Sequence, residues 1–266
     1  MTAASVDDLR TLLVDFVAEY PARSGQPAIW RRPLLATARA DQRFEILTRV
    51  ADAEHLMPWE LLDSAQTVVV FFIPFTQELA QENTPGKFPS RSWGQAYIST
   101  NELIGHASQA INDYLTGRGH QVSLTPATHN FDPIRLVSRW SHKHLAHLSG
   151  LGRFGHNAQL ITPDGCCGRL GSLVTDADLG DHPLVHQDEL CLHRLGQQCL
   201  KCAQLCPVAA LTKDGLDRPQ CFERLKFNWA RLKYFQDLPD TTHVCAKCQV
   251  NMPCSFGIPQ PDEASG

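Results

Sequence analysis

The sequence predicts two domains of different character, an α/β domain over residues 1–185 and a small α+β domain over residues 186–266. Three observations carry this expectation. An apolar fraction of 43% in 266 residues is enough for one large core or two modest ones. Apolar side chains recur at helical spacing in several stretches, and one β-branched and aromatic run, Thr67 to Ile73, is uninterrupted. From about Asp181 the composition turns cysteine-rich and loop-rich, with eight of the ten cysteines between Cys191 and Cys254.

Leu9, Leu12, Leu13, Phe16 and Val17 have helical spacing, with Ser5 as the N-cap. Residues 20–33, broken by proline and glycine, are expected to form a loop. A second amphipathic helix is expected over about 41–53, using Phe44, Leu47 and Val50. The run from Thr67 to Ile73 has the composition of a strand buried on both faces. Residues 77–92 are polar and carry Pro85, Gly86 and Pro89, which predicts a long surface loop of the kind that forms lids. Tyr97 to Leu115 reads as a helix, stopped by Gly117 and Gly119, and residues 121–125 resume as a strand. Strand, helix, strand in that order predicts a parallel crossover unit. A further helix is expected over 133–149, and strands over 158–162 and 168–175.

Gly150-Leu-Gly-Arg-Phe-Gly155 spells Gly-x-Gly-x-x-Gly, but with a helix before it and a strand after it. Dinucleotide binding needs the opposite order, so a tight turn is the better reading. The formal net charge of −4 gives no electrostatic footprint for nucleic acid, and no DNA partner is expected. The best apolar run, Val68 to Phe75, contains Pro74 and is too short to span a membrane. The N-terminus has neither the basic region nor the apolar core of a signal peptide, and Arg31-Arg32 lies too far inside for a twin-arginine leader. A cytoplasmic location is expected, where dense cysteine patterns more often mean metal or redox chemistry than disulfides.

The cysteines read Cys191, then Cys199-x2-Cys202-x3-Cys206-Pro207, then Cys221, then Cys245-x2-Cys248-x5-Cys254. The middle group matches the last three cysteines of the bacterial two-cluster ferredoxin run, Cys-x2-Cys-x2-Cys-x3-Cys-Pro. Gly196 stands where the first would be, so Cys191 is the nearest substitute. Eight thiols make two sets of four. Two cubane 4Fe–4S clusters fit best, because zinc ribbons have no need of the Cys-Pro step; paired four-thiolate zinc sites and disulfides remain the alternatives. In ferredoxins the Cys-Pro cysteine serves the distant cluster. By that rule one cluster takes Cys191, Cys199, Cys202 and Cys254, and the other takes Cys206, Cys221, Cys245 and Cys248. The small domain is thus expected to be ferredoxin-like.

The chain also resembles the epoxyqueuosine reductases, iron–sulfur and corrinoid enzymes related to reductive dehalogenases. The resemblance runs from about Leu61 to Cys254. It includes Leu61-Leu-Asp-Ser-Ala-Gln-Thr-Val-Val-Val70, Ala146 to Gly155, Asn157, Leu170-Gly-Ser-Leu-Val-Thr-Asp176 and the order of the cysteines. It implies a corrinoid (cobalamin) domain supplied with electrons by the cluster domain, and a two-electron deoxygenation of a tRNA-borne epoxide. Two departures stand out. The family's catalytic aspartate falls sixteen residues before the second glycine of Gly-Leu-Gly, which here is Leu136, with Asp132 four residues earlier. The lysine that usually precedes the asparagine is His156. A shorter branch carrying Trp140-Ser-His-Lys-His144 and Gly165-Cys-Cys-Gly-Arg169 is the nearer likeness.

Candidate catalytic residues are therefore Asp132 and Tyr97, the latter as a proton donor opening the helix after the long loop. Arg139, His142, His144, Arg153, His156 and Asn157 are the cofactor-binding candidates, read as a cationic wall for an anionic cofactor or as proton donors near neutral pH. His147 shares a helical face with His144, and surface or interdomain histidines are the plainer alternative. Cys166 and Cys167, adjacent and outside the cluster set, are expected to be buried small hydrophobes, with a cofactor-facing thiol as the alternative. The predicted function is an iron–sulfur reductase with an unassigned small-molecule or RNA-borne substrate and a flavodoxin or ferredoxin as electron donor. A non-enzymatic electron carrier that docks a partner, and a zinc-stabilised module, are the other classes.

Overall fold

The structure, a computed structural model, describes residues 3–127 and 131–261. The chain runs α1 (Val6–Ser24), β1 (Leu34–Arg39), a 3₁₀ turn (Gln42–Ile46), α2 (Leu47–Val50), α3 (Pro58–Leu61), β2 (Thr67–Pro74), α4 (Gln77–Glu82) and α5 (Arg91–Thr116). It continues through β3 (Val122–Leu124), β4 (Phe131–Asp132), β5 (Val137–Ser138), α6 (His142–Leu148), β6 (Arg153–Phe154), β7 (Leu160–Ile161) and β8 (Gly168–Thr175). The cysteine-rich part holds α7 (Lys201–Gln204), β9 (Leu211–Thr212), β10 (Gly215–Leu216) and α8 (Arg218–Arg231). Two compact units interleave along the sequence. The first is Met1–Ile73, Asn101–Gly152 and Gly168–His186; the second is Pro74–Thr100, Arg153–Cys167 and Gln187–Gly266. The stretch 1–185 is therefore shared between both units, and all ten cysteines fall in the second.

The first unit is built on a four-stranded sheet of order β1-β2-β8-β3. β1 pairs antiparallel with β2, Leu34 opposite Phe72 and Arg39 opposite Thr67, and β3 pairs antiparallel with β8. Backbone bonds Gln66 N–H to Thr175 O and Phe75 N–H to Cys167 O, at opposite ends of the central pair, make β2 and β8 antiparallel too. β2 and β3 thus run the same way, as the crossover through α5 predicted, but β8 lies between them and reverses the local pairing. The expected parallel unit is an antiparallel sheet because the inserted strand begins at Gly168, 44 residues after β3 ends at Leu124, beyond what local periodicity can see.

Side chains alternate across a strand, and β2 is buried at all eight positions. Val69, Phe71 and Ile73 join Leu173 in a core with Leu9, Leu13 and Val17 of α1 and Leu103, Ile104, Ile111 and Leu115 of α5. On the other face α6 packs against β8. Gly171 sits where a Cβ would come within 2.3 Å of the Phe71 ring and 2.9 Å of Ile104. α1 is capped by Ser5, which accepts from Asp8 N–H, and ends at Gly25 in the left-handed region, φ 69°. It continues through Pro21, where a loop was expected. Ser24 Oγ donates to the Tyr20 carbonyl at 2.7 Å, supplying a bond in the last turn.

Other expectations are corrected. β1 was not foreseen; its Leu-Leu-Ala-Thr-Ala is short and carries a polar Thr37, which is fully buried with its hydroxyl donating to the Gly180 carbonyl. The helix expected over 41–53 is a 3₁₀ turn and one α turn. The helix expected over 133–149 is only α6, preceded by the β4–β5 hairpin, with Leu136 at φ 56°. The Gly150 turn is as expected: φ is 69°, and a Cβ there would sit 2.4 Å from the Pro183 side chain.

In the second unit the polar stretch 77–92 is not a free loop. Phe75, Leu79 and Trp93 are buried, Phe75 and Trp93 meeting edge to face at 5.1 Å. Asn83 is fully buried, with Nδ2 donating to the Cys245 carbonyl and Oδ1 accepting from Ser90 N–H. Polarity here serves buried hydrogen bonding, which composition reads as exposure. Farther along, α8 is capped by Asp217, and Phe235 is fully buried 3.0 Å from where a Gly94 Cβ would lie.

Gly171→Val is expected to lower stability by about 2–3 kcal/mol, because the added methyls must displace Phe71 or Ile104 in a packed core. Urea unfolding of the variant beside the wild type checks this; an unchanged midpoint would show that the sheet yields there.

Candidate functional site

Four thiols, those of Cys191, Cys199 and Cys202 from one stretch and that of Cys254 from the C-terminal segment, line one cavity of the second unit together with Asn157 and Met252. Cys199 and Cys202 flank the start of α7, Cys191 is held by its N–H donating to Glu189 Oε1, and Cys254 arrives from the C-terminal segment. Burial pushes the Cys202 thiol up to about 12, and the nearby charges of Cys254, Cys191 and Cys199 push the same way. Cys199 is raised by burial as well. The other four cysteines also act on one another. Burial raises Cys248 strongly, with further contributions from Cys245, Cys221, Cys202 and Cys206, so Cys202 of the first set acts on it as well. Cys221 rides on α8, and Cys206 follows α7. Among the described residues, no three His, Cys, Asp or Glu side chains converge as a single bound metal ion requires.

Polar side chains brace these cysteine segments. Asn157 is 2% exposed; its Nδ2 donates to the Cys248 carbonyl at 2.8 Å and its Oδ1 accepts from Gln159 N–H. Lys247 is buried, with its ammonium donating to the carbonyls of Asn83 and Pro85; burial lowers its pKa and Cys245 opposes that. Gln249 Nε2 donates to the Cys166 carbonyl at 2.6 Å. Residues Cys166 and Cys167 pair by backbone bonds with the carbonyls of Cys254 and Ser255, and a Cβ on Gly165 would lie 2.3 Å from the Ser255 oxygen. Cys166 Sγ lies 3.9 Å from Cys254 Sγ. The sequence marks no role for Asn83, Lys247 and Gln249, and for Cys166 it left two readings, a buried hydrophobe or a cofactor-facing thiol.

The cofactor-wall candidates divide between the units. Arg139, His142 and His144 lie in the first; Arg153, His156 and Asn157 lie in the second. Arg139 stands before α6 rather than on it and donates to the Glu54 carbonyl. His144 is bonded to Ser141 Oγ at 2.8 Å. The Nε2 of His142 meets the Pro126 carbonyl at 2.8 Å, so it carries the proton, and Nδ1 accepts from Ser172 Oγ at 2.7 Å. Ser172 in turn accepts from Trp140 Nε1. Burial pushes His142 down to about 4, and Arg169 adds to this against the opposing bond to Pro126. This ring is neutral, not cationic, at physiological pH. His156 lines the cysteine cavity, donates to the Thr212 carbonyl at 2.6 Å and packs edge-on against His193.

Of the catalytic candidates, Asp132 has a half-exposed carboxylate that accepts from Ile134 and Arg135 N–H, closing the β4–β5 hairpin. Those two bonds hold it below the usual carboxylate range, so it is ionised at neutral pH. Tyr97 lies in the second turn of α5, which begins at Arg91, and so does not open that helix.

With this geometry in hand, known proteins offer a comparison. No protein-family model matches the chain. An epoxyqueuosine reductase of Lactococcus garvieae (strain Lg2) is 24% identical over 215 residues, which is 77% of this chain and 56% of that protein. The chain resembles the epoxyqueuosine reductases. An epoxyqueuosine reductase crystallised with an epoxyqueuosine-modified tRNA-Tyr stem loop is 15% identical, with TM-score 0.54 over 96% of this chain and 71% of that one. A catabolic reductive dehalogenase in complex with 3-bromo-4-hydroxybenzoic acid is 16% identical, with TM-score 0.57 over 85% of this chain and 30% of that one. At these identities the structural likeness is one of fold, a mixed α/β architecture. The chain spans little more than half the length of the curated relative it matches.

Because the folded state favours neutral His142, the unfolded chain takes up that proton first as pH falls. The stability due to this group is full above about 6.5 and declines toward 4. Replacing it, His142→Gln, should flatten that part of the profile of urea midpoint against pH; a variant profile parallel to the wild type would show that another group sets it.

Proposed function

We propose that the chain is an iron–sulfur reductase of the epoxyqueuosine reductase type, acting on a substrate of its own. One observation carries the reading: Cys254, 52 residues beyond Cys202, joins Cys191, Cys199 and Cys202 in lining one cavity. Buried thiols with raised pKa values are poor thiolates by themselves, and a cationic iron–sulfur core is the partner that makes them ligands. In this reading Cys191, Cys199, Cys202 and Cys254 hold one 4Fe–4S cluster and Cys206, Cys221, Cys245 and Cys248 hold the other. The clusters supply single electrons at low potential. Asn83 and Asn157 hold the carbonyls of Cys245 and Cys248, and Lys247 ties its own segment to the carbonyls of Asn83 and Pro85.

A corrinoid belongs to the reading by resemblance only. Arg139, His142, His144, His156 and Asn157 are each bonded to protein groups, so we assign none of them to it. The substrate class follows the same limit. A relative holds an epoxyqueuosine-bearing tRNA stem loop, but here Leu136 stands where that family's acid is expected, and Asp132 is committed to a turn. An RNA-borne or small-molecule substrate other than epoxyqueuosine fits best, with a flavodoxin or ferredoxin as donor. No described helix is long and apolar enough to cross a membrane.

Anaerobically purified protein should hold about eight irons and eight sulfides per chain, with a visible spectrum bleached by dithionite. Zinc without sulfide would end the redox reading; clusters without any corrinoid or flavin would favour the electron carrier. Cys254→Ala should remove one cluster and leave the unit less stable, and retention of both would break the assignment. Expression in cells lacking epoxyqueuosine reductase should leave their tRNA without queuosine. Restoration, read by mass spectrometry of tRNA nucleosides, would show that Leu136 is no obstacle.

A further inference from the structure

Cys166 belongs to neither set of four, yet it stands against one of them. It is 2% exposed, its Sγ is 3.9 Å from Cys254 Sγ, and its backbone N–H donates to the Cys254 carbonyl at 2.9 Å. The other neighbour of its sulfur is the Nδ2 of Asn157 at 3.8 Å. The orientation of that amide is fixed, because Oδ1 accepts from Gln159 N–H and leaves the NH₂ facing Cys248 O and Cys166 Sγ. An amide NH₂ only donates. The Cys166 sulfur is therefore the acceptor toward Asn157, and its own proton is left for Cys254. A thiolate bound to iron has no proton and only accepts. Both constraints give one direction, from Asn157 N–H to Cys166 S–H to Cys254 S.

We infer that Cys166 is a positioning residue that donates a hydrogen bond to the cluster-bound sulfur of Cys254 and so sets the potential of that cluster alone. The inference rests on the iron–sulfur reading above. Reduction adds negative charge to the cluster and its sulfurs, so a donor aimed at one of them stabilises the reduced form and raises the potential. The backbone pairing of residues 165–167 with residues 254–256 holds the donor in register.

The test is a dithionite titration of anaerobically purified full-length protein, followed by electron paramagnetic resonance, on the wild type, Cys166→Ala and Cys166→Ser. Cys166→Ala should keep all its iron and sulfide and shift one of the two reductive transitions to lower potential. The expected change is roughly three- to tenfold in that cluster's reduction equilibrium constant, the range of one net hydrogen bond, with the other transition unmoved. Cys166→Ser, which retains a donor, should fall between Cys166→Ala and the wild type. Two unmoved transitions in Cys166→Ala would overturn the inference, as would equal shifts of both. Loss of half the iron in both variants would overturn it too, by making Cys166 a ligand or a structural support. Wild-type protein without iron and sulfide would instead overturn the cluster reading itself.

Discussion

All ten thiols gather in the second unit, three of them buried and seven half-buried. Thiols packed together in a low-dielectric interior resist ionising, since two like charges about 4 Å apart repel by roughly 4 kcal/mol at an effective dielectric of 20. The shifts follow that rule: burial and neighbouring cysteines raise Cys202, Cys245 and Cys248 together. A fold that gathers cysteines in this way is unfavourable for thiolates unless a cation neutralises them. In the iron–sulfur reading proposed above, folding and cluster binding would be coupled by the same electrostatics.

The polar residues around the cysteines make sense in that light. Asn83, Asn157 and Gln249 donate to the carbonyls of Cys245, Cys248 and Cys166, so each cysteine segment is held by a side chain from another part of the unit. Lys247 adds a buried positive charge between Cys245 and Cys248, where it offsets sulfur charge. Buried polar groups of this kind are costly unless satisfied, and here each is bonded to backbone that would otherwise lack a partner.

The first unit rests on a different arrangement. β2 is buried on both faces, and β8 beside it turns Gly171 and Leu173 toward α1 and α5. Ser172, on the opposite face, joins Trp140 and His142 in one hydrogen-bonded group. That group makes His142 a neutral structural ring. Arg139, His144 and His156 are likewise each bonded to protein groups.

By itself the sequence determined the α1, β2 and α5 elements, the glycine turn at Gly150 and the grouping of eight cysteines, because each depends on local periodicity, backbone permissiveness or spacing. The resemblance to epoxyqueuosine reductases was legible for the same reason, since it is carried by short motifs in order. Only the tertiary structure decided that β8 inserts between β2 and β3, that residues 74–100 and 153–167 belong with the cysteines, and that Cys166 lies beside Cys254. These are pairings between segments tens of residues apart. Their partners are chosen by shape and hydrogen bonding in three dimensions, and the polar side chains that secure them look, in one dimension, like surface.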